Sequence, residues 1–219
     1  TVLGLRYARL LQMQDRVAAL NGVGNPGALL YARFERNDEA RNERGAQIAQ
    51  ELVGKEKVVA GIGIVNTGVA LASQRFYQEA RIPMITAVAT GSIVTRQFLP
   101  PQYPDNFIFR MAANDTIQAA MIVEEAVERR KFRKVAILAD STNYGQLGRE
   151  DLERALEKKG IRAVAVDKFN IRDIDMTRQL IRARGAGAEV LLTYGIGPEL
   201  AQIANDAARL DWRVPIIGG

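Results

Sequence analysis

The 219 residues include no cysteine and no histidine. Without cysteine there are no disulfides, thiolate metal sites or cysteine nucleophiles. Without histidine the chain lacks the commonest general base and the commonest metal ligand. Catalysis would have to rest on carboxylates or lysines, yet no P-loop, nucleophile elbow or metal-spaced carboxylate cluster occurs. Asp173 and Asp175 flank an apolar residue in a polar stretch and read as solvated loop residues. Long apolar runs are missing too. The longest, 58–65, is broken in character by Gly61 and Gly63, whereas a bilayer-spanning helix needs ~20 apolar residues. No basic n-region precedes the first amphipathic stretch, so no signal peptide is visible, and a mature export product would read the same way.

What remains is ample for a packed core: 47% of the residues are hydrophobic. The net charge of +5 is spread along the chain and mixed with acidic residues. The densest basic block, 129–134 (RRKFRK), closes a helical pattern that opens at Asp115. Positive charge at a helix C-terminus offsets the macrodipole, so a solvated helix end is favoured over a nucleic-acid patch.

Two hydrophobic periods alternate along the chain. Leu10, Met13, Val17 and Leu20 share one face of a first helix, and 28–34 reads as a buried strand. Asn37 or Asp38 is placed to cap the next helix, which carries Ala46, Ile48, Ala49 and Leu52. Strands are expected at 58–64, 84–87 and 107–112, with a helix over 68–80. The pattern then restarts: helices over 115–130, 146–159, 176–184 and 198–210, strands at 135–139, 163–168, 190–194 and 214–217. Strands alternating with helices of this length imply parallel sheets covered on both faces.

An internal repeat organises these elements. Gly63 and Gly195 stand 132 positions apart, as do Pro83 and Pro215. The same ungapped register matches Val58 with Val190, Ile64 with Ile196, and Ala72 with Ala204. Two copies of one α/β unit explain this better than chance. Two lobes of one kind follow, 1–113 (incomplete) and 114–219.

Open parallel sheets bind ligands beyond the carboxyl ends of their strands, at helix N-termini. This rule selects Asn66, Thr67 and Gly68 after one first-lobe strand, and Val88, Ala89 and Thr90 after the next. In the second lobe it selects Tyr144, then Tyr194 and Gly195. Hydroxyls and free backbone N–H groups at helix starts suit a carboxylate, and the tyrosines can cover an apolar ligand body. Plain helix caps and turn residues are the competing readings of Asn66, Thr67 and Thr90. Tyr144 can equally pack on its own lobe. Gly61-Ile62-Gly63 opens like a dinucleotide fingerprint, but the third glycine is replaced by Asn66 and no acidic residue follows at the required distance.

At these loops the sequence resembles the type I periplasmic binding proteins of ABC transporters, in the leucine/isoleucine/valine-binding family. The resemblance rests on 58–72 (VVAGIGIVNTGVALA), 82–95 (IPMITAVATGSIVT), 109–115 (FRMAAND), 135–145 (VAILADSTNYG) and 214–219 (VPIIGG), in this order. It implies two Rossmann-like lobes with parallel sheets, a Venus-flytrap architecture that closes by a hinge motion. It also implies a ligand carboxylate gripped by Thr67, contacts from Val88, Ala89 and Thr90, and a second-lobe tyrosine at Tyr144. The family's further second-lobe aromatic falls near Ile196 or Gly197, where this chain has none; Tyr194 is close but out of register. Segments before the first helix and after VPIIGG are implied as well, the latter carrying an acidic residue that holds a ligand ammonium. The expected role is an extracytoplasmic solute receptor for a small carboxylate, an amino acid or an aromatic acid, working with an ABC-transporter permease. It needs no cofactor, no metal and no catalysis. A ligand sensor or repressor core of the same fold is the alternative.

Overall fold

The computed structural model describes residues 35–219; the expected first helix and the strand over 28–34 lie outside them. Residues Asn37–Gly219 form one compact unit. In chain order its elements are α1 (Asn42–Gly54), β1 (Gly61–Gly63), α2 (Thr67–Glu79), β2 (Met84–Thr86), a 3-10 turn (Ser92–Thr95) and β3 (Ile108–Arg110). Then come α3 (Asp115–Val123), β4 (Val135–Asp140), α4 (Asn143–Glu157), β5 (Ala165–Phe169), α5 (Thr177–Gly185), β6 (Val190–Tyr194), α6 (Gly197–Arg209) and β7 (Ile216–Gly218). No helix among the described residues is long and apolar enough to cross a membrane.

Two parallel sheets result, β1-β2-β3 and β5-β4-β6-β7. The second is sandwiched as the unbroken apolar runs require. Every residue of β4 and β6 is buried. Pleating sends Ile137 and Ala139 to one face, where they meet Val123, Val127, Leu152 and Leu156 of α3, its continuation and α4. Ala136 and Leu138 turn to the other face and pack with Leu180, Ile203 and Ala207 of α5 and α6. In the first sheet, Met84 and Ile108 pack with Tyr77 of α2. Ile62 and Phe109 on β1 and β3 remain exposed among the described residues.

Three of the six described α-helices start where a side chain captures a first-turn N–H. Asn66 accepts from Gly68 N at 2.9 Å, Asn114 from Ile117 N at 3.0 Å, and Thr142 from Gly145 N at 3.5 Å. The expected cap of α1 is different. Asn37 and Asp38 instead accept from Glu39 N and Ala40 N at 3.0 and 2.7 Å. These local turns hold Glu39 and Ala40 at left-handed φ of 55° and 57°, so the helix begins only after Arg41. Strand β1 is shorter than 58–64 because Val58 N is tied back to Leu52 O, and Ile64 takes a φ of 67°. Helix α3 widens into a π-helical stretch, Glu124–Arg129, where Arg129 and Arg130 make exposed ion pairs with Glu124 and Glu125.

The repeated path is visible: α1, β1, α2 and β2 follow the same course as α5, β6, α6 and β7. The register differs from the sequence match. Gly61 N donates to Pro83 O, and Leu191 N donates to Pro215 O. Ile82 N donates to Tyr77 O, and Trp212 N to Ala207 O. Gly63 therefore corresponds to Thr193, not Gly195, and Arg213 and Val214 are a two-residue insertion before Pro215. Only β2 and β7 keep the 132-residue offset.

Candidate functional site

The turns after β1, β2 and β4 face one another. At the first, Asn66 is the cap of α2 and Thr67 its first residue, both buried. The Thr67 hydroxyl accepts from Gly91 N at 3.2 Å and still carries its own proton. Gly68 lies against the second half of the chain: a Cβ there would stand 2.6 Å from the Asn143 Oδ1 at the start of α4. The N-termini of α2 and α4 thus meet, and both carry the positive end of a helix dipole.

After β2, Ala87 N and Ala89 N donate to Gly63 O and Ile64 O, which extends the β1–β2 ladder into the turn. Ala89 is buried and Val88 exposed. Thr90 is half-buried, and its carbonyl accepts from Asp115 N at 3.0 Å and from Arg110 Nη1 at 3.3 Å. Arg110 also donates to Gly91 O at 2.9 Å and Ala112 O at 3.1 Å. One guanidinium therefore pins the β2 turn to the segment that leads into α3.

In the sequence Asp115 reads only as a helix start. It is fully buried, and neither carboxylate oxygen completes a hydrogen bond of normal geometry. Burial raises its pKa to about 6, with the Asp151 carboxylate adding to the rise. The neighbouring Thr90 hydroxyl, Arg110 and the Tyr194 hydroxyl pull the other way. A negative residue in the first turn of α3 was visible in the sequence; its burial between two sheets was not.

Tyr144 and Tyr194 complete this cluster. Their rings lie 5.2 Å apart at 59°. Tyr144 is half-buried, whereas Tyr194 is fully buried, with its hydroxyl 3.4 Å from Asp115 O and from Gln118 Oε1. Burial, and then the Asp115 charge, push both phenols above their ordinary range. Gly195 is buried beneath the Phe169 ring. The fold thus gathers Thr90, Tyr144 and Tyr194 around Asp115, and Thr67 with Gly68 beside them at the α2–α4 seam. Val88 and Gly195 stand at its margins.

Behind Tyr144, Asp140 holds the turn in shape. Its Oδ1 accepts from Thr142 N at 2.8 Å and Gly145 N at 3.2 Å. Burial nevertheless raises its pKa, against those hydrogen bonds. Chemically, the assembled groups can hold a small polar molecule by hydroxyls, helix N-termini and a buried carboxylate. Among the described residues no group of three or more acidic side chains is arranged to hold a metal ion.

A family model described as periplasmic binding protein matches residues 32–218. The chain is 27% identical over 207 residues to a Leu/Ile/Val-binding protein homologue of Brucella melitensis, covering 94% of this chain and 54% of that one. The chain spans about half the length of the curated relatives it matches. Its fold superposes with a TM-score of 0.76 on the branched-chain amino acid transporter substrate-binding protein LivJ of Streptococcus pneumoniae, solved with isoleucine. That match has 21% identity and covers 93% of this chain and 56% of the other. A solute-binding protein of R. palustris in complex with 4-hydroxybenzoate superposes with a TM-score of 0.70 at 22% identity, covering 90% and 52%. The chain belongs to the periplasmic binding protein family and has its type I α/β fold.

Proposed function

We propose that this chain is the ligand-binding core of an extracytoplasmic solute receptor. It takes up a small carboxylate, an amino acid by preference, and delivers it to an ABC-transporter permease without chemical turnover. Two lobes, 1–113 and 114–219, close on the ligand between the turns after β1, β2 and β4. The observation that carries this reading is the convergence of Thr90, Tyr144 and the unpaired Asp115 carboxylate beside Thr67 and the N-terminus of α2. Helix N-termini and hydroxyls suit a carboxylate, and a buried carboxylate suits an ammonium group. That pairing favours an α-amino acid. The isoleucine complex of LivJ and the Leu/Ile/Val-binding name of the Brucella relative support the same class. An aromatic acid is the second reading, favoured by the 4-hydroxybenzoate complex and by the Tyr144–Tyr194 pair.

Calorimetry with leucine, isoleucine and 4-hydroxybenzoate decides between them. Saturable binding of an aliphatic amino acid with negative heat-capacity change supports the first reading. Binding of 4-hydroxybenzoate alone selects the second. Conversion of any bound ligand to a product would overturn the receptor assignment.

A further inference from the structure

Strand β1 ends on two consecutive residues with positive φ, Gly63 at 152° and Ile64 at 67°. Glycine enters this region at little cost, whereas the Cβ of an L-residue crowds the following carbonyl there. A β-branched residue in that conformation is a genuine outlier. Among the described residues seven other non-glycine positions have positive φ; all are exposed and none is β-branched. Arg81, Lys131 and Asp211 among them follow the ends of helices, where a left-handed residue closes the last turn. Ile64 is half-buried and follows a strand, so no helix end accounts for it.

Two contacts hold it there. Its side chain packs against the cluster of Tyr77, Met84 and Ile108 and also against the cluster of Ala70, Ala89 and Val94. Its carbonyl accepts from Ala89 N at 3.2 Å, directly after the Gly63 carbonyl has accepted from Ala87 N at 2.8 Å. In a regular strand successive carbonyls point to opposite sides. The left-handed turn at Ile64 brings its carbonyl to the same side as that of Gly63, so two consecutive carbonyls bind the β2 turn. Val65 then points outward, Asn66 caps α2, and the Thr67 hydroxyl accepts from Gly91 N at 3.2 Å. Strained backbone of this kind persists only where the surroundings over-determine it.

We propose that Ile64 is a positioning residue of the ligand site. It touches no ligand; its side chain holds a left-handed backbone that fixes the Asn66–Gly68 turn against the Val88–Thr90 turn. Glycine would adopt the same φ without strain, but it would leave both apolar clusters unlinked and the two turns free to part. The ligand would then have to order them on binding, and that ordering subtracts from affinity. The part of this inference that concerns affinity rests on the receptor reading above; the part that concerns the order of the two turns does not.

The test compares wild type, Ile64→Gly, Ile64→Val and Ile203→Val in the whole chain, each well below its melting transition. Ile203→Val is a control that truncates a core side chain packed on the other sheet. Amide hydrogen exchange without ligand reads the turns directly. Ala89 and Gly91 should exchange faster in Ile64→Gly by roughly tenfold or more, and at the wild-type rate in Ile64→Val and Ile203→Val. Calorimetry with leucine and with 4-hydroxybenzoate reads the consequence. Whichever of these the wild type binds, Ile64→Gly should bind it roughly tenfold more weakly, with a less favourable entropy. Ile64→Val keeps the β-branched packing and should stay within about twofold, as should Ile203→Val despite its lower melting temperature. Should Ile64→Gly fail to fold, Ile64→Asn replaces it, since asparagine also enters the left-handed region but cannot fill the apolar clusters. The same losses are then expected. The role is overturned if the variant exchanges Ala89 and Gly91 as slowly as wild type, if it keeps wild-type affinity, or if Ile203→Val loses as much. If the wild type binds neither compound the receptor reading falls, and the ligand-free exchange rates alone uphold or overturn the positioning role.

Discussion

Thr67 and Gly91 interlock across the β1 and β2 turns: the Thr67 hydroxyl accepts from Gly91 N at 3.2 Å, and the Thr67 methyl occupies the space a Gly91 side chain would need. A Cβ on Gly91 would lie 2.4 Å from the Thr67 Cγ2, too close for any pair of carbons. The backbone at Gly91 is in an ordinary region, with φ of −47°, so sterics rather than conformation select glycine here. Gly91→Ala is therefore expected to destabilise the protein by about 1–3 kcal/mol, as overpacked positions do. Urea denaturation measures this. A neutral effect would show that the Thr67 turn can retreat, and with it the geometry assigned to the site.

Thr90 and Tyr144 carry the predictions about ligand. If Thr90 donates to a charged ligand group, Thr90→Ala loses a bond worth about 1.5–3 kcal/mol, roughly a tenfold to hundredfold loss of affinity. Tyr144→Ala should weaken binding and reduce the compaction on ligand addition seen by small-angle scattering, with folding intact. Calorimetry on both variants checks this. Wild-type affinity in both would remove this cluster from consideration.

Asp115 links the site to pH. Its pKa is about 6 in the folded chain, against an ordinary value of 3.8. The folded state therefore binds the proton more tightly than the unfolded state does. The stabilisation from protonation is complete below about pH 4 and is lost as the pH rises through about 6. Between pH 5 and pH 7 the loss should come to about 1–1.5 kcal/mol. Asp115→Asn cannot titrate, so its stability relative to wild type should improve by that amount over the same interval. Parallel pH profiles for the two proteins would show that Asp115 is not buried as an isolated charge. An amino acid whose ammonium pairs with Asp115 should bind more weakly below pH 6, because protonation removes the charge it uses.

Asp206 anchors the second sheet's outer helices. It is fully buried, accepts from Met176 N at 2.6 Å and Gln202 Nε2 at 2.6 Å, and pairs with Arg209. Asp206→Ala leaves the buried Met176 N–H unpaired, at a cost of about 1–3 kcal/mol. Arg209 is 63% exposed and adds little, since water replaces its partner. A thermal melt of Asp206→Ala beside Arg209→Ala should show the first shift to be the larger by far.

The sequence by itself determined the architecture. The unbroken apolar run at 135–139, and the run at 190–194 with only Thr193 polar, fit strands covered on both faces, because a one-sided strand alternates. The cap Asn66 acts through its immediate neighbour, so its side chain and the helix it starts were legible locally, whereas α4 begins at Asn143, ahead of the expected 146, under the Thr142 cap. The matching courses around Pro83 and Pro215 were legible too, since each copy must bury the same pattern. Tertiary structure alone decided what depends on distance through space. Thr193 corresponds to Gly63 because hydrogen bonds from Gly61 and Leu191 fix the ladders, and an ungapped comparison cannot see a two-residue insertion at Arg213 and Val214. Asp115 looked like an ordinary first-turn acid. It becomes an unpaired buried charge only because Thr90, Arg110, Tyr194 and Asp151 are brought around it from four other parts of the chain. Local pattern sets which elements form; desolvation and charge at the site are sums over neighbours that only packing supplies.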